Sequence, residues 1–194
     1  MARKDVEPGE ITVLLRAVSR SEADAEARLY QLVYTALQRI AASQMRAERP
    51  EHTLSPTALV HEAWLRLANK QQDFENRHHF LAAAAKAMRC ILVDYARARY
   101  ARRRGGVQRP VPLEGCLNLK VPMTDETILV LDEALQRLAA LSARAAQVVE
   151  MRFFAGLTES ETAGVLGVTR RTVNRDWEMA RVWLYGELKG ERHR

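Results

Sequence analysis

Apolar residues recur at intervals of three and four along most of the chain, and Ala, Glu, Arg and Gln fill the positions between them. That is the pattern of amphipathic helices, and no segment alternates as a strand would. Ile11, Leu14, Leu15 and Val18 open one face. Leu29, Leu32, Val33, Ala36, Leu37 and Ile40 continue in a second helix, with Asp24 and Glu26 in an acidic turn between the two. A third helix is predicted from about Thr57 to Ala68, with Leu59, Val60, Ala63 and Leu67 inward. Ser55-Pro56-Thr57 supplies its cap and first-turn proline. A fourth, from about His79 to Arg103, is expected to bury Phe80, Ala84, Ala87, Met88, Ile91 and Tyr95 and to expose Lys86, Arg89 and Arg97. Four more follow, at Leu131 to Leu138, Ala143 to Phe154, Thr158 to Leu166 and Thr169 to Leu188.

Proline punctuates this pattern, because inside a helix it removes a hydrogen bond and clashes with the preceding turn. It stands at positions 8, 50, 56, 110, 112 and 122. Two proline-free stretches therefore flank a Pro- and Gly-bearing segment, which reads as a flexible linker. The expected architecture is all-α: one helical domain at residues 9–104, a linker at 105–124 and a second helical domain at 125–189, tethered loosely. No internal repeat relates the halves.

Composition narrows the function. The 194 residues are 47% apolar and 28% charged, as in a globular protein. The formal charge of +6 favours a polyanionic partner. No apolar run approaches the ~18 residues of a membrane span, and Met1-Ala2-Arg3-Lys4-Asp5 lacks the apolar core of a signal peptide. The expected location is the cytoplasm, with no membrane partner. Cys90 and Cys116 are too few for a disulfide framework and lack metal-ligand spacing, so no metal or cofactor is expected.

Three segments carry candidate chemistry. Leu157 to Val173 has helix-turn-helix spacing: Ala163 is small where two helices cross, Gly167 can take the positive φ of the turn, and Val168 with Val173 seals the angle. Thr169 would cap a second helix whose first turns carry Arg170, Arg171, Thr172, Asn174 and Arg175, donors able to reach phosphates and base edges in a major groove. Trp177 falls in step with Val173, Ala180 and Leu184 and reads as core. The second segment, Arg77 to Arg104, holds seven Arg and one Lys against Asp94 alone, a net +7 suited to phosphate binding. Just before it, Asp73 to Phe80 alternates rings with hydrogen-bonding groups, a mixture that suits unstacked bases. The third is the helix bearing Leu59, His61, Glu62, Trp64, Leu65 and Arg66. It has more apolar surface than one stripe needs, which fits either a protein-docking surface or a core helix buried on two sides.

Together these segments resemble the small two-domain extracytoplasmic-function group of bacterial RNA polymerase sigma factors. Phe80 to Arg97 is similar to the family's stretch ending in Asp-Tyr and arginines, here Asp94-Tyr95-Ala96-Arg97, and Ser142 to Thr158 matches the start of its promoter-reading domain. The resemblance implies that Leu59, His61, Glu62, Trp64, Leu65 and Arg66 dock on the clamp helices of the polymerase's largest subunit. It implies that Arg77, Phe80, Lys86, Arg89 and Arg97 contact the minus-ten element. Thr169, Arg170, Arg171, Thr172, Asn174 and Arg175 would read the minus-thirty-five element, with the second domain on the flap of the other large subunit.

Two departures from the family pattern matter. Ala83 replaces a frequent aromatic residue and Cys90 a frequent Asn, positions that bear on base preference. The acidic group usual before the clamp-docking helix is missing, with Thr53-Leu54-Ser55-Pro56-Thr57 in its place. A phosphate on Thr57, or on Ser55 or Thr53, would restore the charge at a helix N-terminus, where the dipole favours anions. The chain resembles a branch of the family linked to Ser/Thr kinases, so such a kinase joins the expected partners; an anti-sigma factor stays open. The competing reading is a helix-turn-helix regulator that binds duplex DNA without polymerase. Catalysis is not expected: a metalloprotease helix starting at His61-Glu62 needs a second His where Leu65 stands.

Overall fold

The computed structural model describes residues 8–20, 22–45, 54–68, 74–102 and 125–188. Eight α-helices carry these residues, and no strand occurs among them. They are α1 (Pro8–Ser19), α2 (Ala25–Gln44), α3 (Pro56–Ala68), α4 (Arg77–Arg102), α5 (Asp125–Leu141), α6 (Ala143–Val149), α7 (Glu159–Leu166) and α8 (Arg170–Leu188). Residues 103–124, which include the expected linker, lie outside the description, as do Thr53 and Asp73. No described helix is long and apolar enough to cross a membrane.

Local chemistry sets most helix starts. The Ser55 hydroxyl accepts from the Ala58 amide at 3.1 Å, capping α3 one residue ahead of Pro56. Asn76 caps α4, its side-chain oxygen accepting from the amides of His78 and His79 at 3.0 Å each. Asp24 turns the chain into α2 from a left-handed conformation (φ 61°), and Glu26 lies inside that helix rather than in the turn expected for it. α5 begins at Asp125, six residues before the expected Leu131, because Thr127 and Ile128 already face inward.

One correction concerns the helix expected from Ala143 to Phe154. Its regular part ends at Val149, and Glu150–Phe154 forms a π-helical turn in which the Ala155 amide donates to the Glu150 carbonyl at 3.1 Å. The wider turn buries Met151 and Phe154.

A second concerns the relation between the halves. One continuous hydrophobic core runs from Ile11, Leu37, Leu59, Met88 and Ile91 in the first to Leu131, Leu138, Phe154 and Leu184 in the second. α4 packs on α2 and α3 on one side and on α5 and the π-turn on the other. Gln44 in α2 ties both halves, its amide donating to the carbonyls of Ala85 (3.1 Å) and Phe154 (3.4 Å). In this conformation the halves share a core instead of hanging loosely together.

Candidate nucleic-acid and protein interfaces

The helix-turn-helix is assembled by short-range contacts. Thr158 and Glu161 form a reciprocal capping box at the start of α7: the Thr158 hydroxyl accepts from the Glu161 amide at 3.2 Å, and the Glu161 carboxylate accepts from the Thr158 amide at 2.7 Å. Gly167 closes α7 at φ 63°, the left-handed region where a Cβ is unfavourable. Val173 is fully buried with Val148 and Ala163, and Val168 packs on them. Thr169 caps α8, its hydroxyl accepting from the Thr172 amide at 3.2 Å.

This geometry brings Thr169, Arg170, Arg171, Asn174 and Arg175 to the surface, with Thr172 half-buried behind them. The Asn174 amide donates to Glu159 at 3.4 Å. Asp176, buried beneath, accepts from Arg144 at 2.5 Å and Arg175 at 3.5 Å, which pins α8 to the start of α6. The Arg144 hydrogen bond holds the Asp176 carboxyl below its usual pKa, against the opposing effect of burial. Trp177 is half-buried with the Arg152 guanidinium 5.2 Å from its ring centre, as its core assignment allows.

On α3 the predicted residues separate. Leu59 is wholly buried and belongs to the core, so it offers nothing to a partner in this conformation. His61 is exposed and Leu65 is 62% exposed. Trp64 is half-buried, edge-on to Tyr30 (4.8 Å between centroids) and Phe80 (6.0 Å), and its indole N–H donates to Glu26 at 3.1 Å. Arg66 pairs with Asp94 at 3.0 Å, with Glu62 farther off at 4.0 Å. One side of this helix is core, and the other lines an open groove of about 670 Å³.

Asp24, Glu26, Ala27 and Tyr30 form the α2 wall of that groove, opposite His61, Trp64 and Leu65. Sequence reasoning missed this wall. Its available signal was Tyr30 beside the inward Leu29 and Val33, a ring at the edge of the buried stripe.

The minus-ten candidates divide as well. Lys86 is exposed and Arg77 half-buried. Phe80 is 2% exposed, held edge-on by Trp64 and Phe74, so it is core rather than a surface ring. His78 Nε2 sits 3.2 Å from the Glu161 carboxylate, linking the two halves. Arg89, expected to be exposed, is 6% exposed. It donates to Asp132 and, through two nitrogens at 2.5 and 3.3 Å, to Glu150, with its carbon 5.5 Å from the Phe154 ring centre. Burial by itself would lower its pKa; Glu150, Cys90 and Asp132 outweigh that and raise it, so the guanidinium stays charged. Arg97 donates to Asp132 at 3.1 Å and Arg99 pairs with Asp125 at 3.2 Å. No group of three or more His, Cys, Asp or Glu among the described residues could hold a metal ion.

An all-helical protein with a capped helix-turn-helix in one half and a basic helix beside an aromatic groove in the other belongs to the class of helical nucleic-acid-binding proteins. Comparison with known families makes the assignment specific. The model of the ECF sigma factor family matches residues 8–190, and the chain belongs to that family, whose members direct RNA polymerase to promoters. The solved structure of CnrH in complex with the cytosolic domain of CnrY is similar at 18% identity and a TM-score of 0.43, over 93% of this chain and 98% of that one. No curated protein matches.

Proposed function

We propose that the chain is a cytoplasmic sigma factor whose first half docks on the polymerase clamp helices through His61, Glu62, Trp64, Leu65 and Arg66, with the α2 wall of the groove completing the contact. The second half rests on the polymerase flap and reads the minus-thirty-five element through Thr169, Arg170, Arg171, Thr172, Asn174 and Arg175. Arg77, Lys86 and Arg97, with the loop before α4, engage the minus-ten element; Arg89 joins them once the halves separate, while Phe80 stays between Trp64 and Phe74 in the core of the first half. The factor makes and breaks no covalent bond. It spends binding energy on positioning polymerase and holding unpaired bases. The observation that carries the reading is the exposed basic start of α8, presented by a correctly capped helix-turn-helix. Run-off transcription with core polymerase on a promoter pool tests it. RNA synthesis that depends on this chain is expected, and tight specific DNA binding without polymerase would favour a stand-alone regulator instead.

Control is exerted by phosphorylation of Thr57, with Ser55 and Thr53 as lesser candidates, through a Ser/Thr kinase. Thr57 is exposed in the first turn of α3, which has no acidic residue of its own. Its hydroxyl accepts from Gln38 at 3.2 Å. A phosphate there adds a charge of about −1.5 to −2 at the positive end of the helix, beside the docking groove. Thr57→Glu should bind polymerase more tightly than Thr57→Ala; equal affinity with equal promoter activity removes this mode of control and leaves an anti-sigma factor as the regulatory partner.

A further inference from the structure

Asn174 is one of the side chains that the helix-turn-helix brings to the surface, and its amide is already engaged there. Its nitrogen Nδ2 donates at 3.4 Å to Oε1 of Glu159, in the first turn of α7. The same Oε1 lies 3.2 Å from Nη1 of Arg152 on the π-turn. Arg152 is seated in turn, its guanidinium carbon 5.2 Å from the centre of the half-buried Trp177 ring. A chain of four residues, Trp177, Arg152, Glu159 and Asn174, therefore runs from the packed side of α8 back to its exposed face. One turn beyond Asn174, Glu178 is taken by Arg181 at 3.2 Å and does not compete for the amide.

A carboxylate can only accept, so the group that faces Glu159 is the amide nitrogen. That settles which edge of the amide points away. One N–H lies beside the carbonyl oxygen, and the other is directed off that edge. With the outer N–H engaged by Glu159, the free edge carries Oδ1 and the inner N–H in a set order. We propose that Glu159 is a positioning residue that holds Asn174 in this orientation, and that Asn174 thereby reads one adenine of the promoter. Adenine offers N6–H₂ as donor and N7 as acceptor in the major groove, the complement of that edge. Guanine offers two acceptors, N7 and O6, and Oδ1 would be set against O6. The inference rests on the reading of α8 as the minus-thirty-five helix.

A carboxylate in the first turn of a helix is also favoured by the helix dipole. That role asks for no partner on α8 and has no bearing on which base is bound. A lone carboxylate at a DNA-facing edge would repel phosphate, and Arg152 balances the charge of this one. Glu159 can then orient its neighbour at little cost to overall affinity.

Base preference tests this in the holoenzyme. Core polymerase loaded with the full chain is given duplex promoters whose minus-thirty-five element is randomised, and bound sequences are counted against input. The position read by Asn174 is the one whose preference Asn174→Ala removes. There the wild type should favour adenine over guanine by about tenfold, the discrimination of a good bidentate pair. Glu159→Ala leaves the amide free to turn, so one hydrogen bond discriminates where two did, and the ratio should fall to about threefold. Preferences at the other positions should stay as they were. Removing the carboxylate strengthens binding to all sequences alike, a change that leaves the ratio untouched unless Glu159 orients Asn174. In an Asn174→Ala background, Glu159→Ala should alter no ratio further. Thermal melts check folding. If Glu159→Ala melts early, Glu159→Gln takes its place with the same expectation, because a glutamine can face Asn174 with either an oxygen or a nitrogen.

An unchanged adenine-to-guanine ratio in the Glu159 variant overturns the proposal, and so does a preference for any other base at the position that Asn174 reads. Arg171→Ala separates these failures from failure of the premise. Should Arg171→Ala shift base preference or salt slope while Asn174→Ala shifts no preference, α8 still reads the element and the assignment of Asn174 is refuted alone. Should neither variant change anything, α8 is not the reading helix, and the proposal falls with its premise.

Discussion

Leu65 offers the sharpest separation of binding from folding. It projects from α3 with 62% of its surface in solvent, on the rim of the groove formed with Tyr30 and Trp64. Leu65→Ala removes three carbons, worth about 2.4 kcal/mol on full transfer from water at about 0.8 kcal/mol each. Scaled by the exposed fraction, about 1.5 kcal/mol remains to be gained on docking, or about tenfold in Kd for core polymerase. Stability should move by less than about 0.5 kcal/mol, because the side chain is exposed and alanine is an excellent helix former. Trp64→Ala should behave differently, losing about 2 kcal/mol of stability with its edge contacts to Tyr30 and Phe80 and its bond to Glu26. Val13→Ala, 65% exposed on α1 and outside the groove, is the control that should change neither quantity. Thermal melts and fluorescence anisotropy with labelled protein provide the two readouts. A Leu65→Ala protein that melts like wild type and binds polymerase equally well would refute the docking assignment of this face.

Gly167→Ala should cost about 1–2 kcal/mol, because the turn holds φ at 63° where a Cβ meets its own carbonyl. Gly164→Ala, in the open surroundings of α7, should be neutral or stabilising, and thermal melts of the pair compare them. The Asp176 carboxyl has a folded pKa below its unfolded value, chiefly through the Arg144 hydrogen bond, so its contribution is complete above the unfolded value near 4 and is lost as pH falls through the folded one. Asp176→Asn should therefore flatten the acid side of the stability curve measured by denaturant titration; an unchanged slope below about pH 5 would contradict the pairing. Arg171→Ala should reduce the salt slope of polymerase-dependent minus-thirty-five binding by about 0.9, the share of one phosphate contact.

The parts of the fold legible in the sequence are those whose causes lie within a few residues. The cap of α3 at Ser55, the positive φ of Gly167 and the cap of α8 at Thr169 each depend on groups no more than about one turn away. The early start of α5 was hidden because Thr127 and Asp132 occupy its buried stripe, and polar residues there break the apolar count. The π-turn was hidden for a related reason: the spacing of three and four continues through Val148, Val149 and Phe154 whether or not the helix widens by one residue. Half of the groove escaped because Asp24, Glu26 and Tyr30 reach α3 only through tertiary packing, with Glu26 accepting from a ring 38 residues away.

Arg89 shows where charge counting reaches its limit and what replaces it. A row of arginines reads the same in sequence whether it faces a nucleic acid or a row of carboxylates, since both satisfy the same donors. The distinguishing signal is position within the helical stripe. Ala85, Met88, Leu92, Val93 and Ala96 are buried on α4, and Arg89 stands among them. Ile128, Leu131 and Leu135 are buried on α5, and Asp132 stands among them. A single charged residue inside an apolar stripe is costly unless an opposite charge meets it, so two such stripes, one with a cation and one with an anion, predict each other as neighbours. The apolar spacing on α4 marks an inward face one stripe wide, with Arg89 outside it. The helix is buried on two sides, by α2 and α3 and by α5 with the π-turn, and the second side is the one that carries Arg89 to Asp132 and Glu150. α4 runs for 26 residues, and its last turns present Arg97 and Arg99 to Asp132 and Asp125 on α5.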